Sequence, residues 1–280
     1  MTTESLEPQK PDTGNFQGNK FKIRLNQTVI KLLNNFDMSN PDLCPAQIKE
    51  TCFSDSKYTS LPTAAMMKGL VFENAALDLN REIDFPKLKN GNISADYERI
   101  FKQADNFKEI AKDHEIVIAE SQKYIEIDYS DEVVLFGTLD FVGSFKENDT
   151  TFHPEAIVDL KLTGNLFSTF GDYSWAFPYN INHLQAFVYN ELYLRKYGKE
   201  LPFFYMVFDY TPSMNHKIFK KRVDALDKAT MHESIRSAVE KIKYFDENGW
   251  IEIPRHDRCS LCPINETCKS YTNKRTIEEI

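Results

Sequence analysis

The sequence predicts an α/β protein with a mixed central β-sheet flanked by helices, and three observations lead to this fold class. After Ser94, a good N-cap, apolar residues from Tyr97 onward recur at helical spacing, which indicates an amphipathic helix. Over 115–163, β-branched and aromatic runs alternate with turn residues and indicate several antiparallel strands. A second helix then ends at Gly198, and the apolar run 201–211 follows it as a buried strand.

The remaining segments are expected to complete one domain. Residues 1–19 are polar and rich in Pro, Gly and Gln, so we expect a disordered lead-in there. A mostly apolar helix follows Pro62, which suits a first helical turn, and a long helix over 224–249 precedes a group of cysteines. With 280 residues the chain can bury a large core, so we expect residues 20–280 to form a single domain that includes the cysteines.

The composition is that of a soluble globular protein, with 41% apolar and 27% charged residues. No apolar run approaches the roughly 20 residues that span a membrane, so a cytoplasmic location without a membrane partner is expected. The formal net charge of −8 argues against nucleic-acid binding through overall charge. A local basic groove stays open, with a solvated strand edge as the alternative, and its candidates are Lys217, Lys220, Lys221 and Arg222.

Cysteines near the C-terminus have the spacing of a metal or cluster site. Cys259, Cys262 and Cys268 form a C-x2-C-x5-C run, in which short loops can turn three thiolates toward one centre. Cys44 is a plausible fourth ligand that would tie the two ends of the domain together, and Cys52 competes with it. Unrelated free thiols are the alternative, and a disulfide framework is disfavoured by the odd count of five.

Two carboxylates and an ammonium group form the candidate catalytic centre. Asp159 and Lys161 are two residues apart on a predicted strand and therefore share a face, and a regular hairpin brings Asp140 beside them. Oxygen ligands of this kind hold Mg²⁺ or Mn²⁺ for phosphodiester hydrolysis. A surface salt bridge is the alternative, but the neighbouring residues are apolar, and charges in apolar strands need a reason. Glu73, on the helix after Pro62, is a third candidate acid.

The helix before Gly198 carries two further candidates. Gln185 and Tyr189 are four residues apart and share a helix face, where they could hydrogen-bond a phosphate or stack a base. A half-buried amphipathic helix explains the pair equally well. Just ahead of this helix, Trp175, Phe177 and Tyr179 are candidates for base stacking, with packing in the core as the alternative.

Taken in order, these motifs resemble the PD-(D/E)XK nuclease superfamily. Within it they resemble the RecB-type exonucleases that carry an iron–sulfur cluster, such as the AddB nuclease domain and the CRISPR-associated iron–sulfur exonucleases. The resemblance extends over residues 44–268. The motifs that carry it are Gly69–Glu73, Gly137–Asp140, Asp159–Lys161 and Gln185–Tyr189, with one cysteine before the first motif and three after the last.

The resemblance implies a restriction-endonuclease-like core of order αβββαβ and a role for each matching residue. Asp140, Asp159 and the backbone carbonyl of Leu160 would bind Mg²⁺ or Mn²⁺, with Glu73 completing the metal site or acting beside it. Lys161 would position or activate water. The remaining implied roles are the shaping of the site around the phosphate by Gln185 and Tyr189, and a structural [4Fe–4S] cluster on Cys44, Cys259, Cys262 and Cys268.

The function that the resemblance implies is a metal-dependent DNA exonuclease that acts on single strands or ends in recombination, repair or DNA processing. One alternative is a non-catalytic subunit that uses its cluster to bind DNA or an unidentified protein partner. Another keeps the nuclease but places Zn²⁺ on the four thiolates, which suit both metals.

Overall fold

A computed structural model describes residues 22–36, 44–54, 62–169 and 174–252, together with residues 259, 262, 264, 265 and 268. The chain divides into two compact units. The first unit comprises 1–61, 128–134 and 234–280, and the second comprises 62–127 and 135–233. The expected lead-in over 1–19 lies outside the described residues, and a single domain over 20–280 stays a prediction.

The chain alternates between helices and strands as the sequence predicts. The helices are α1 (Gln27–Asn35), α2 (Pro45–Cys52), α3 (Ala64–Ala76), α4 (Ala95–Asp113), α5 (Leu184–Tyr197) and α6 (Ala225–Asn248). The strands are β1 (Ile23–Leu25), β2 (Ile118–Asp128), β3 (Val133–Asn148), β4 (Thr151–Thr163), β5 (Phe203–Asp209) and β6 (His216–Lys221).

In the first unit, side-chain hydrogen bonds hold both ends of α1. Asn26 caps α1 by accepting a 2.9 Å hydrogen bond from the backbone N–H of Val29. At the other end of α1, the ammonium of Lys241 donates to the carbonyls of Leu33 and Phe36, at 2.8 and 3.2 Å. A cation at a helix C-terminus satisfies carbonyls that have no partner within the helix.

The sheet of the second unit is mixed. β2 pairs with β3, and the order then runs β3-β4-β5-β6. The pairs β3/β4 and β5/β6 are antiparallel, whereas β4 and β5 are parallel and are connected through α5. A parallel pair requires such a crossover, because a tight turn can join only antiparallel neighbours.

Helices α3 and α4 pack on this sheet through a core rich in phenylalanine. Phe72 of α3 lies 5.1 Å from Phe208 of β5, and Phe107 of α4 lies 6.1 Å from Phe141 of β3, measured between ring centroids. All seven residues of β5 are buried, as expected for a central strand of a mixed sheet. Burial of Phe72 in this core fixes α3, and burial of Phe107 fixes α4, against the sheet that carries the candidate acids.

The predicted fold class and the order αβββαβ are confirmed, as α4, β2, β3, β4, α5 and β5. Three details differ from expectation. The runs 115–120 and 123–129 are not two strands: one strand, β2, extends from Ile118 to Asp128 and continues through Gln122, whose backbone is left-handed (φ 51°). Ser94 stands at the N-cap of α4 but its side chain makes no capping hydrogen bond. The short elements β1 and α1 were not expected. No helix in the described ranges is long and apolar enough to cross a bilayer.

Candidate active site

Asp140 and Asp159 lie on adjacent antiparallel strands. The register pairs Phe141 with Val158, so the two aspartates come next along β3 and β4. The N–H of Leu160 donates a 2.7 Å hydrogen bond to the Oδ2 atom of Asp140. A side-chain carboxylate therefore takes a backbone donor of the neighbouring strand, which holds it beside Asp159.

Asp159 is completely buried and its two oxygens have different surroundings. Oδ1 accepts a 2.7 Å hydrogen bond from Nε2 of Gln185. Oδ2 forms an ion pair with the Lys161 ammonium, with 2.5 Å between Oδ2 and Nζ. A buried carboxylate is costly, and the Lys161 ammonium offsets only part of that cost, because the pKa of Asp159 stays raised.

The buried carboxylates of this site repel one another. Burial raises the pKa of Asp140 well above its ordinary value, and the charges of Asp159 and Glu73 add to the rise. Burial also raises the pKa of Asp159, while the ammonium of Lys161 offsets part of that rise. For Lys161, burial lowers the pKa, but the attraction of the aspartates outweighs it and the net shift is upward. The lysine thus stays protonated, and solvent still reaches it, since 26% of its side chain is exposed.

Glu73 enters the site from α3, where its neighbours Val71 and Phe72 face the core. Its Oε1 atom accepts a 2.6 Å hydrogen bond from Nε2 of Gln122 on β2. Burial raises the pKa of Glu73, against the opposing charges of Arg81 and Lys161. The same centre thus contains a third acid, and electrostatic coupling links it to Asp159.

Gln185 and Tyr189 line the site from the first two turns of α5. The Nε2 atom of Gln185 lies 3.2 Å from the hydroxyl of Tyr189, in addition to its bond with Asp159. A Cβ at Gly137 would lie 2.8 Å from the Tyr189 ring, so only glycine lets β3 approach α5 this closely. Gly69 has no comparable contact, and nothing in the structure explains a glycine there.

The donor set fits a hard divalent cation. Three carboxylates converge and repel one another, with one ammonium group among them, and carboxylate oxygens are ligands that suit Mg²⁺ or Mn²⁺. Leu160 joins the site through its N–H, while a role for its carbonyl stays a prediction. Among the described residues, no three His, Cys, Asp or Glu side chains already have the spacing of a metal site, so a cation would have to draw its ligands together.

Four cysteines are neighbours in the first unit. Cys44 is buried at the N-cap of α2 and packs with Ile264, Cys262 and Cys268. Burial raises the pKa of Cys262, and the thiols of Cys44, Cys259 and Cys268 raise it further. Mutual proximity of four thiols is the donor chemistry of a soft-metal or iron–sulfur site.

Cys52, at the end of α2, does not join that group. Its sulfur lies 3.6 Å from the Thr51 hydroxyl, and burial raises its pKa with no contribution from another thiol. Its surroundings are those of a half-buried structural cysteine.

The aromatic and basic candidates divide between core and surface. Trp175 is buried against Tyr205 and Phe219, so it packs in the core and is not available for stacking on a base. Phe177 and Tyr179 are exposed, the latter at 76%. In the basic run, Lys220 pairs with Glu147, and Lys221 pairs with Asp227 at 2.9 Å, while Lys217 lies over the Phe167 ring.

Gln122 and Arg81 also belong to this site, and the sequence did not indicate them. The guanidinium of Arg81 donates a 2.9 Å hydrogen bond to Oε1 of Gln122, whose amide holds Glu73. The one signal was the polar interruption SQK between two strand-like runs, which a turn explains equally well.

Comparisons with known proteins identify the fold. The crystal structure of a "Putative exonuclease" from Eubacterium rectale superposes with a TM-score of 0.51 at 15% identity, covering 94% of this chain and 91% of the other. The structure of SSO0001 covers 89% and 87%, at 11% identity, but its TM-score of 0.37 supports no argument. No family model matches the sequence. No curated protein matches it either.

Proposed function

We propose that this chain is a divalent-metal-dependent nuclease that hydrolyses phosphodiester bonds in DNA as an exonuclease on single strands or ends. The observation that carries the proposal is the convergence of Asp140, Asp159 and Lys161, in which one ammonium group faces two carboxylates whose pKa values stay raised. The name of the Eubacterium rectale neighbour agrees with it, although the likeness itself concerns the fold.

Mg²⁺ or Mn²⁺ would be held by Asp140, Asp159, Glu73 and the carbonyl of Leu160. When bound, such a cation supplies Lewis acidity toward a phosphodiester. The carboxylates must be ionised to bind it, and their raised pKa values mean that cation and proton compete for the same oxygens. Once ionised, the three carboxylates carry more negative charge than the Lys161 ammonium neutralises, and a divalent cation can neutralise the excess.

Lys161 is proposed to act as a fixed positive charge. Because its pKa is raised, it holds its proton at neutral pH and is a donor, not a general base. Its ammonium can orient the attacking water and stabilise negative charge that develops on the phosphate.

Gln185 and Tyr189 are proposed to orient the acids and the substrate. The amide of Gln185 holds Asp159, and burial raises the pKa of Tyr189, so its hydroxyl stays protonated. Gln185 fixes one oxygen of Asp159 and leaves the other turned toward Lys161.

Phe177 and Tyr179 are the proposed contacts for single-stranded bases. Their rings lie 6.2 Å apart at the surface, in the segment that leads into α5. Exposed aromatic pairs stack on unpaired bases with little dependence on sequence. Recombination, repair or DNA processing is the proposed setting, with a protein partner as the proposed source of further DNA affinity.

A [4Fe–4S] cluster on Cys44, Cys259, Cys262 and Cys268 is proposed for the first unit, where it would stabilise the chain ends. In support, the thiols of Cys44, Cys259 and Cys268 all raise the pKa of Cys262, whereas no other thiol acts on the pKa of Cys52. Zn²⁺ is the competing occupant, since four thiolates suit both.

Nuclease activity is tested on end-labelled single- and double-stranded DNA with Mg²⁺, Mn²⁺ or a chelator. Wild type should degrade DNA only with the cation, and Lys161→Met should lose about 100-fold or more of the rate. Asp149→Asn is the matched control, because this carboxylate is fully exposed on a turn and should leave the rate unchanged. Substrates blocked at either end then define polarity.

Equal products from wild type and Lys161→Met would reject the proposed centre. DNA binding without hydrolysis under every metal condition would instead favour the non-catalytic, cluster-bearing subunit.

The cluster is tested by anaerobic purification, visible absorption and metal analysis. Iron, sulfide and a brown colour are expected in wild type and in Cys52→Ser, but not in Cys44→Ser. A colourless, zinc-loaded wild type would replace the iron–sulfur proposal with Zn²⁺.

A further inference from the structure

Gln122 has a strained backbone inside a strand. Its φ of 51° lies in the left-handed region, which a residue with a side chain enters at a cost and keeps only when its surroundings impose it. Regular β2 structure continues on both sides, from Ile118 to Asp128. The strained residue therefore lies within a strand next to the candidate centre, not in a turn between strands.

The side chain of Gln122 uses both ends of its amide. Nε2 donates to Oε1 of Glu73 at 2.6 Å, and Oε1 accepts from Nη2 of Arg81 at 2.9 Å. The second bond fixes which way the amide faces, because the guanidinium can only donate. The amide nitrogen must then point at the acid.

Arg81 is itself held in place from α3. The side chain of Asn74, next to Glu73 in the sequence, accepts from the N–H of Arg81 at 2.9 Å and donates to its carbonyl at 3.1 Å. The chain of contacts thus starts and ends on α3, and it passes through one arginine and one strained glutamine. Among the described residues, Oε2 of Glu73 accepts no hydrogen bond, so one oxygen of the acid is left for another ligand.

We infer that Gln122 is a positioning residue that holds Glu73 for the divalent cation, with Arg81 orienting the Gln122 amide. The inference rests on the proposed metal-dependent centre and extends it to a corner that the sequence motifs do not contain. Mutation of a residue that hydrogen-bonds to a metal ligand typically lowers the metal affinity by about 10–100-fold.

The experiment measures Mn²⁺ affinity directly, by the electron paramagnetic resonance of free Mn²⁺ over metal-free protein, with thermal unfolding measured in parallel. Gln122→Gly removes both the amide and the strain, whereas Gln122→Met removes the amide and keeps the strain. Both should weaken Mn²⁺ binding by roughly 10-fold or more, while the glycine variant unfolds at the same or a higher temperature than wild type. Arg81→Met should weaken binding less, because it acts through Gln122.

Met214→Gly is the matched control. Met214 also has a left-handed backbone (φ 45°), but it lies between β5 and β6 and has no bond to the acids. Relief of strain there should leave the Mn²⁺ affinity unchanged.

Asp159→Asn separates the inference from the function on which it rests. If Asp159→Asn abolishes Mn²⁺ binding while both Gln122 variants bind like wild type, the positioning role is overturned and the metal centre stands. If Asp159→Asn binds like wild type, both are overturned. A glycine variant that unfolds at a clearly lower temperature would make Gln122 a structural residue and would also overturn the inference.

Discussion

Asp159 and Asp209 are both completely buried in the second unit, on the parallel neighbours β4 and β5, yet their surroundings are opposite. The oxygens of Asp209 accept five hydrogen bonds. Thr211 donates through its N–H and hydroxyl, Asn215 through its N–H and side-chain amide, and Leu166 through its N–H. Burial alone would raise the pKa of Asp209, but these donors lower it.

Asp159 accepts a hydrogen bond from Gln185 and pairs with Lys161, but a second aspartate lies nearby, and its pKa is raised. The difference separates two uses of a buried charge. Neutral donors that saturate a carboxylate make it a structural link, here between the loops after β4 and β5. A carboxylate that has few donors and faces another acid is suited to bind a cation.

The largest effect is expected when the same substitution, aspartate to asparagine, is made at each of the two positions in turn. Asp159→Asn should reduce the nuclease rate by about 100-fold or more, because it removes a ligand charge from the proposed centre. Without metal, it should unfold at the same or a higher temperature than wild type, since it relieves repulsion with Asp140. DNA degradation and thermal unfolding measure the two properties.

Asp209→Asn should have the reverse profile. It weakens charge-assisted hydrogen bonds to five donors, so the free energy of unfolding should fall by roughly 2–3 kcal/mol. The rate per folded molecule should stay close to wild type. If Asp209→Asn abolishes activity at full stability, the structural role assigned to this residue is wrong.

Divalent metal should stabilise the protein through one of these carboxylates only. At 100 times its Kd, a ligand of the folded state raises stability by about 2.7 kcal/mol. Mg²⁺ or Mn²⁺ should therefore raise the unfolding temperature of wild type and of Asp209→Asn, but not that of Asp159→Asn. An equal rise in all three proteins would place the cation elsewhere.

The two kinds of carboxylate should respond to pH with opposite sign. Asp140 has a raised pKa in the folded protein, so its contribution to stability falls as the pH rises above about 4, the pKa of an unfolded aspartate. Asp209 has a lowered pKa, so its contribution is present above about pH 4 and is lost as the pH falls through the folded value.

With a chelator present, the unfolding temperature of Asp140→Asn should therefore rise relative to that of wild type as the pH approaches neutral. As the pH falls, the unfolding temperature of Asp209→Asn should decrease less than that of the other two proteins. Unfolding temperatures across the acid range, measured for the three proteins side by side, test both signs, and parallel curves would contradict the opposite pKa shifts.

The smallest effect is expected at Gln185, which donates a hydrogen bond to Asp159. Gln185→Ala should reduce the nuclease rate by roughly 10-fold, because Asp159 keeps its charge but loses orientation. Rate against Mn²⁺ concentration checks this, and Gln185→Glu, which replaces the donor with a fourth acid in the centre, should be the more damaging change.

The sequence by itself determined the α/β class, the order of the core elements and the positions of Asp140, Asp159 and Lys161, because periodicity and spacing are local properties of a chain. It also pointed to α5 ending at Gly198, where a left-handed residue (φ 70°) closes the helix. It left Trp175 undecided between core and surface, since an aromatic side chain suits both.

Only the tertiary structure decided which charges meet. The bond from Gln122 to Glu73 joins residues 49 positions apart, and that from Leu160 to Asp140 joins strands whose register depends on the whole sheet. Asp159 and Asp209 are equivalent in sequence, each an aspartate in an apolar strand, because the donors that distinguish them come from other segments. Burial and the sum of neighbouring charges set a pKa, and both exist only once the chain has folded.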